Sequence, residues 1–101
     1  MRFYKVVLSK DAVADIDSIY GYISTVLKEN LIAQEWLIRI RNAIQELDFL
    51  PNKHELVERE PWRSEGIRQK PFEKFVIFYH VSESGSIVTI TGVKSTSKKR
   101  E

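Results

Sequence analysis

The chain is expected to fold as an α+β domain, a small antiparallel-type sheet packed on an antiparallel two-helix hairpin in the order β-α-α-β-β-β. Two stretches repeat apolar residues at helical spacing, separated only by Lys28-Glu29-Asn30. A β-rich segment precedes them, and further strand-like runs follow, the best of them Phe75 to Val81. Pro51 stands between the helical and the strand-rich halves.

Phe3-Tyr4-Lys5-Val6-Val7-Leu8 reads as the first strand. Ser9 is placed to cap a helix, with Asp11 in the first turn, where the helix dipole favours negative charge. Ala12, Ile16, Ile19, Tyr20, Ile23 and Leu27 then mark one face of a helix of about 5 turns, with Asp15, Asp17 and Ser18 opposite. In the second helix Ala33, Trp36, Leu37, Ile40, Ala43, Ile44 and Leu47 face inward, and Glu35, Arg39, Arg41, Asn42 and Gln45 face outward. Pro51 is expected to end it, because proline cannot continue the hydrogen-bond ladder. So short a connection between the helices makes them antiparallel.

Residues 52–65 read as a polar loop with a short extended piece at Glu55-Leu56-Val57. A strand opens at Gly66-Ile67-Arg68-Gln69-Lys70, Phe75 to Val81 forms the next, and Ser86 to Val93 the last. Ser82-Glu83-Ser84-Gly85 is a turn in which Gly85 is free to take positive φ. Residues 1–93 thus form a single domain, and residues 94–101 a polar, basic tail.

With 101 residues, 43% hydrophobic and 30% charged, the chain has the composition of one globular domain rather than a disordered tail. The sequence contains no cysteine, which rules out a disulfide scaffold or a thiolate metal site. No apolar run approaches the roughly 20 residues of a membrane span. Met1-Arg2-Phe3-Tyr4 does not open as a secretory signal does, so a cytoplasmic protein with no membrane partner is expected. Residues 1–52 carry 6 Lys/Arg against 7 Asp/Glu, and residues 53–101 carry 10 against 7. The positive excess therefore sits in the second half.

That half contains the candidate chemistry. Arg59, Arg63, Arg68 and Lys70 cluster around Trp62, and Arg68 and Lys70 share one side of a strand. Guanidinium forks suit phosphate. The same residues suit a solvated network with Glu58, Glu60, Glu65 and Glu73, and the residues alone leave both readings open. Tyr79 lies on one face of its strand with Phe75 and Ile77, and His80 on the other with Val76 and Phe78. His80 fits a core position, and His54, in a loop, is the freer imidazole. Trp36 belongs to the core stripe, whereas Trp62 suits either base stacking or covering the core's edge. No metal-ligand spacing, glycine-rich phosphate loop or nucleophile elbow appears.

The run Arg59-Glu60-Pro61-Trp62-Arg63-Ser64-Glu65-Gly66-Ile67-Arg68, followed by Pro71 and Phe75 to Val81, resembles the RelE/ParE superfamily of type II toxin–antitoxin toxins (plasmid stabilisation systems). The helix around Asp15-Ile16, Ile19-Tyr20 and Tyr22-Ile23 is similar to the first helix of that family. The resemblance implies a toxin neutralised by a cognate antitoxin that wraps its helices and sheet, with no cofactor and no metal. Of the two activities it implies, ribosome-dependent mRNA cleavage that inhibits translation is the expectation, and non-enzymatic inhibition of DNA gyrase is the alternative. An inactive toxin retained as an antitoxin-binding partner is a third outcome. On the endoribonuclease reading, Arg68, Lys70 and Tyr79 are the catalytic candidates, with Arg59, Trp62, Arg63 and Lys94 binding RNA on the ribosome. The C-terminal part departs from the family pattern: Gly92-Val93-Lys94-Ser95-Thr96-Ser97-Lys98 stands where many members carry an arginine and then a histidine or tyrosine. Lys94, Lys98, Lys99 and Arg100 restore charge, but a lysine pKa of ~10.4 makes a poor proton donor at neutral pH.

Overall fold

In the computed structural model, residues 3–96 are described. Strand β1 (Lys5–Leu8) leads through Ser9 into helix α1 (Lys10–Gly21). Ser9 Oγ accepts a hydrogen bond from the Ala12 amide at 3.1 Å, the expected N-cap. The helix then widens into a π turn over Tyr22–Val26. There the hydroxyls of Ser24 and Thr25 both donate to the Gly21 carbonyl, competing for the oxygen that would hold a regular turn. A π turn advances the helical phase, and Leu27, expected inside, is 50% exposed. Lys28 at φ 56° stops the chain and turns it back.

Helix α2 spans Asn30–Gln45 and continues as a 3₁₀ turn over Glu46–Asp48. The helical path thus ends before Pro51. Phe49 bridges back to Phe3, Leu50 takes φ 51°, and Pro51 opens a separate 3₁₀ turn over Pro51–Lys53. Proline there starts an element rather than ending one, in keeping with its tolerance at the first helical position.

Strands β2 (Ile67–Phe72), β3 (Phe75–Ser82) and β4 (Ile87–Ser95) complete a four-stranded sheet ordered β1-β4-β3-β2. The last three strands are antiparallel, and β1 joins β4 in parallel. At the β3–β4 turn the positive φ falls on Ser86 (53°), not Gly85. Gly66 takes φ 83° at the start of β2, and a Cβ there would stand 3.5 Å from the His80 ring. The extended piece after His54 lies along β2, with Leu56 bridging Arg68 and the Val57 amide donating to the Ile67 carbonyl at 2.9 Å.

Both helices cover one sheet face. Ala12 and Ile16 of α1 and Trp36, Ile40, Ala43 and Ile44 of α2 bury against Ile77, Tyr79, Val88, Ile90 and Val93. The Trp36 ring meets Phe72 and Phe75 edge-on at 6.5 and 5.5 Å, and Arg39, one turn on, pairs with Glu73 at 2.6 Å. Helix α2 thereby clamps the β2–β3 hairpin at its turn. Ile40 is fully buried, and its burial contributes about 1.5–3 kcal/mol. No helix among the described residues is long and apolar enough to cross a membrane.

Candidate functional site

Cross-strand partners share a sheet face, so the registers assign every strand residue to one side. Arg68 opposes Tyr79, and Lys70 opposes Ile77; all of them lie on the helix-covered face. Their polar ends serve the fold there. Arg68 Nη1 donates to the His54 carbonyl at 2.7 Å and to that of Asn52 at 3.4 Å, holding the loop after the Pro51 turn. Lys70 Nζ donates to the Ala43 carbonyl at 2.6 Å and to Glu46 Oε1 at 2.9 Å, satisfying the end of α2. Tyr79 is fully buried and donates to the Pro51 carbonyl at 2.6 Å. Burial pushes its hydroxyl up to about 12.

His54, expected to be free in a loop, stands edge-on to the Tyr79 ring at 6.4 Å. Burial, with the charges of Lys70 and Lys53 behind it, holds its imidazole below the ordinary histidine value, and its Nε2 has no hydrogen-bond partner. His80 lies on the opposite sheet face, beside Gly66.

The face away from the helices carries a groove of about 730 Å³. Its floor is Ile67, Gln69 and Phe78 with Thr91 and Gly92, and one wall is Val57, Glu58, Arg59, Trp62 and Glu65. Asp11 and Lys94 close the far end. The structure therefore brings Arg59, Trp62 and Lys94 together around one groove. Arg63 is set apart, its guanidinium donating to the Val57 carbonyl at 3.2 Å and bracing the loop that forms the wall.

Asp15, expected on the solvent face of α1, instead reaches the edge of β4 where β1 has ended. Its Oδ2 accepts from the Val93 amide at 2.9 Å, and its Oδ1 pairs with Lys94 Nζ at 3.2 Å. A Cβ on Gly92 would stand 3.2 Å from Asp15 Oδ2, so glycine makes room for this approach. Nothing in helical periodicity marks Asp15; only the open edge of β4 defines its role. Lys98, Lys99 and Arg100 lie outside the described residues.

A second, apolar groove of about 340 Å³ runs along the helices beside β1. Val6, Leu8, Val13, Ile16, Leu37 and Ile44 line it, with Asp17, Arg41 and Gln45 at its border. Leu8 and Val13 are 45% and 42% exposed, more than a monomer's core would leave bare.

The β-α-α-β-β-β order and the sheet order β1-β4-β3-β2 define the fold, and comparison identifies its family. The family described as the ParE toxin of the type II toxin–antitoxin system parDE matches residues 6–100, and the chain belongs to that family. No curated protein matches the sequence. Among solved structures, the chain is similar to the chromosomal ParDE system from P. aeruginosa, with a TM-score of 0.74 and 22% identity over 92% of this chain and 96% of that one. It is also similar to the RelBE2 toxin–antitoxin complex from Mycobacterium tuberculosis, with a TM-score of 0.68 and 16% identity over 97% of each chain. The archaeal RelE–RelB complex from Pyrococcus horikoshii follows at 0.56 and 16%, over 96% of this chain and 99% of that one.

Proposed function

We propose that this type II toxin acts on DNA gyrase without cutting a bond. The observation that carries this reading is the placement of Arg68, Lys70 and Tyr79. Each spends its polar end on a backbone carbonyl under the helices, on the far side of the sheet from the open groove. The groove itself offers no imidazole or phenol among its lining residues. RNA cleavage by attack of a 2′-hydroxyl needs a base, an acid and cations at one phosphate. A surface that only binds needs none of these.

The ParDE likeness supports the same reading, and the toxin–antitoxin complexes among the neighbours support a cognate antitoxin as partner. The apolar groove beside β1 suits an amphipathic antitoxin helix, since its side chains are aliphatic and its border is charged.

The test pairs two assays on the purified chain. Supercoiling of relaxed plasmid by gyrase should be inhibited in proportion to toxin. Primer extension on a message in a cell-free translation reaction should show no new ends. Discrete, ribosome-dependent cuts would overturn the reading in favour of the mRNA endonuclease. A chain silent in both assays would point to an inactive toxin.

A further inference from the structure

The open groove has the wrong charge for a nucleic acid. Lys94 is already paired with Asp15 at 3.2 Å, which leaves Arg59 as its free cation among the described residues. Against it stand the carboxylates of Asp11, Glu58 and Glu65. A polyanion entering here would meet net repulsion along a wall whose floor is apolar.

We propose that this groove receives an extended segment of the toxin's protein target, carrying a basic side chain next to an apolar one. The apolar side chain would rest on Phe78 and Ile67 against Trp62, which is 48% exposed. The basic side chain would lie between Glu58 and Glu65, both exposed. Charge complementarity selects this occupant. Polarity assigns it to the target rather than the antitoxin: a charged, wettable rim suits a transient partner, whereas the aliphatic groove beside β1 calls for a lasting cover. The proposal rests on the groove being a contact surface for a protein target, as in the gyrase reading.

The experiment uses three probes on the full chain: acetyl-Lys-Leu-Lys-Phe-Lys-amide, its glutamate counterpart, and a uridine decanucleotide. Trp62 emission reports binding, with Trp62→Phe as the control for the buried Trp36. The lysine peptide should bind saturably and at least tenfold tighter than the glutamate peptide or the RNA. The double variant E58Q/E65Q, altered only at exposed side chains, should weaken it about tenfold and leave the urea midpoint unchanged. The same variant should raise the concentration needed to inhibit supercoiling by about tenfold. Preference for the RNA or the glutamate peptide would overturn the proposal, as would a lysine-peptide affinity indifferent to E58Q/E65Q. Unchanged supercoiling inhibition in a variant that has lost the peptide would overturn the assignment to the target. A wild-type chain that binds the peptide but leaves supercoiling alone supports the groove's chemistry and sinks gyrase as the target.

Discussion

Asp15 of α1 receives the backbone N–H of Val93 on β4 at 2.9 Å, and this contact completes the sheet edge that β1 is too short to cover. The pairing of β1 with β4 stops at Leu8 and Ile90. Beyond it a β4 amide would lack a partner, and the first helix supplies a carboxylate in place of a strand.

Removing that carboxylate leaves the Val93 amide unsatisfied. Asp15→Ala should cost about 1–3 kcal/mol in urea unfolding. Asp15→Asn, which keeps an acceptor and loses only the exposed Lys94 pair, should cost about 1 kcal/mol or less. Equal losses in the two variants would show that the Lys94 pair, not the amide bond, carries the stability.

A side chain at Gly92 has little room, since a Cβ there would stand 3.2 Å from Asp15 Oδ2. Gly92→Arg should therefore destabilise the domain, by about 1–3 kcal/mol, through displacement of Asp15. It should confer no RNA cleavage in the cell-free assay, because Arg68 and Tyr79 remain on the other face. New mRNA ends in this variant would mean that one residue is all that separates the chain from a nuclease.

Tyr79→Phe removes the donor to the Pro51 carbonyl and should cost about 1–2 kcal/mol at pH 7, with gyrase inhibition retained by the folded fraction. The wild type should also lose stability as pH rises from about 10 toward the folded value of about 12. Across that window the unfolded chain releases the phenolic proton and the folded chain keeps it. The full shift corresponds to about 3 kcal/mol, and Tyr79→Phe should flatten this alkaline fall. A loss of inhibition without a loss of stability would return Tyr79 to the functional site.

His54 predicts behaviour at the acid end. Its folded imidazole is held below the ordinary value, chiefly by burial, so the unfolded chain binds the proton first as pH falls. The stability it contributes is complete above about pH 6.5 and declines below it. Urea midpoints at pH 7.5 and 5 should differ more for the wild type than for His54→Gln. The same slope in both would assign the acid sensitivity to carboxylates such as Glu46, whose ionised form Lys70 stabilises.

Valine at position 13 tests the second groove. Val13→Glu sits at a half-exposed site and should leave the unfolding free energy within about 0.5 kcal/mol of the wild type. It should weaken antitoxin binding about tenfold or more in calorimetry. Undiminished binding would place the antitoxin elsewhere.

Periodicity was enough to read the two helices, the capping Ser9 and the inward stripe from Ala33 to Leu47, because each depends on neighbours a turn apart. Strand alternation likewise placed Tyr79 with Ile77 and His80 with Phe78. The end of α2, the exposure of Leu27 and the positive φ at Ser86 were not legible. They depend on which groups compete for particular carbonyls and on how the hairpins meet. The same holds for the basic residues: Arg59 and Lys94 reach one groove, while Arg68 and Lys70 are drawn under the helices by carbonyls of the Pro51 loop and α2. A sequence records the charge of a side chain and its position along the strand. Whether that charge faces a partner or satisfies the backbone is decided by orphan donors and acceptors that only the assembled fold creates.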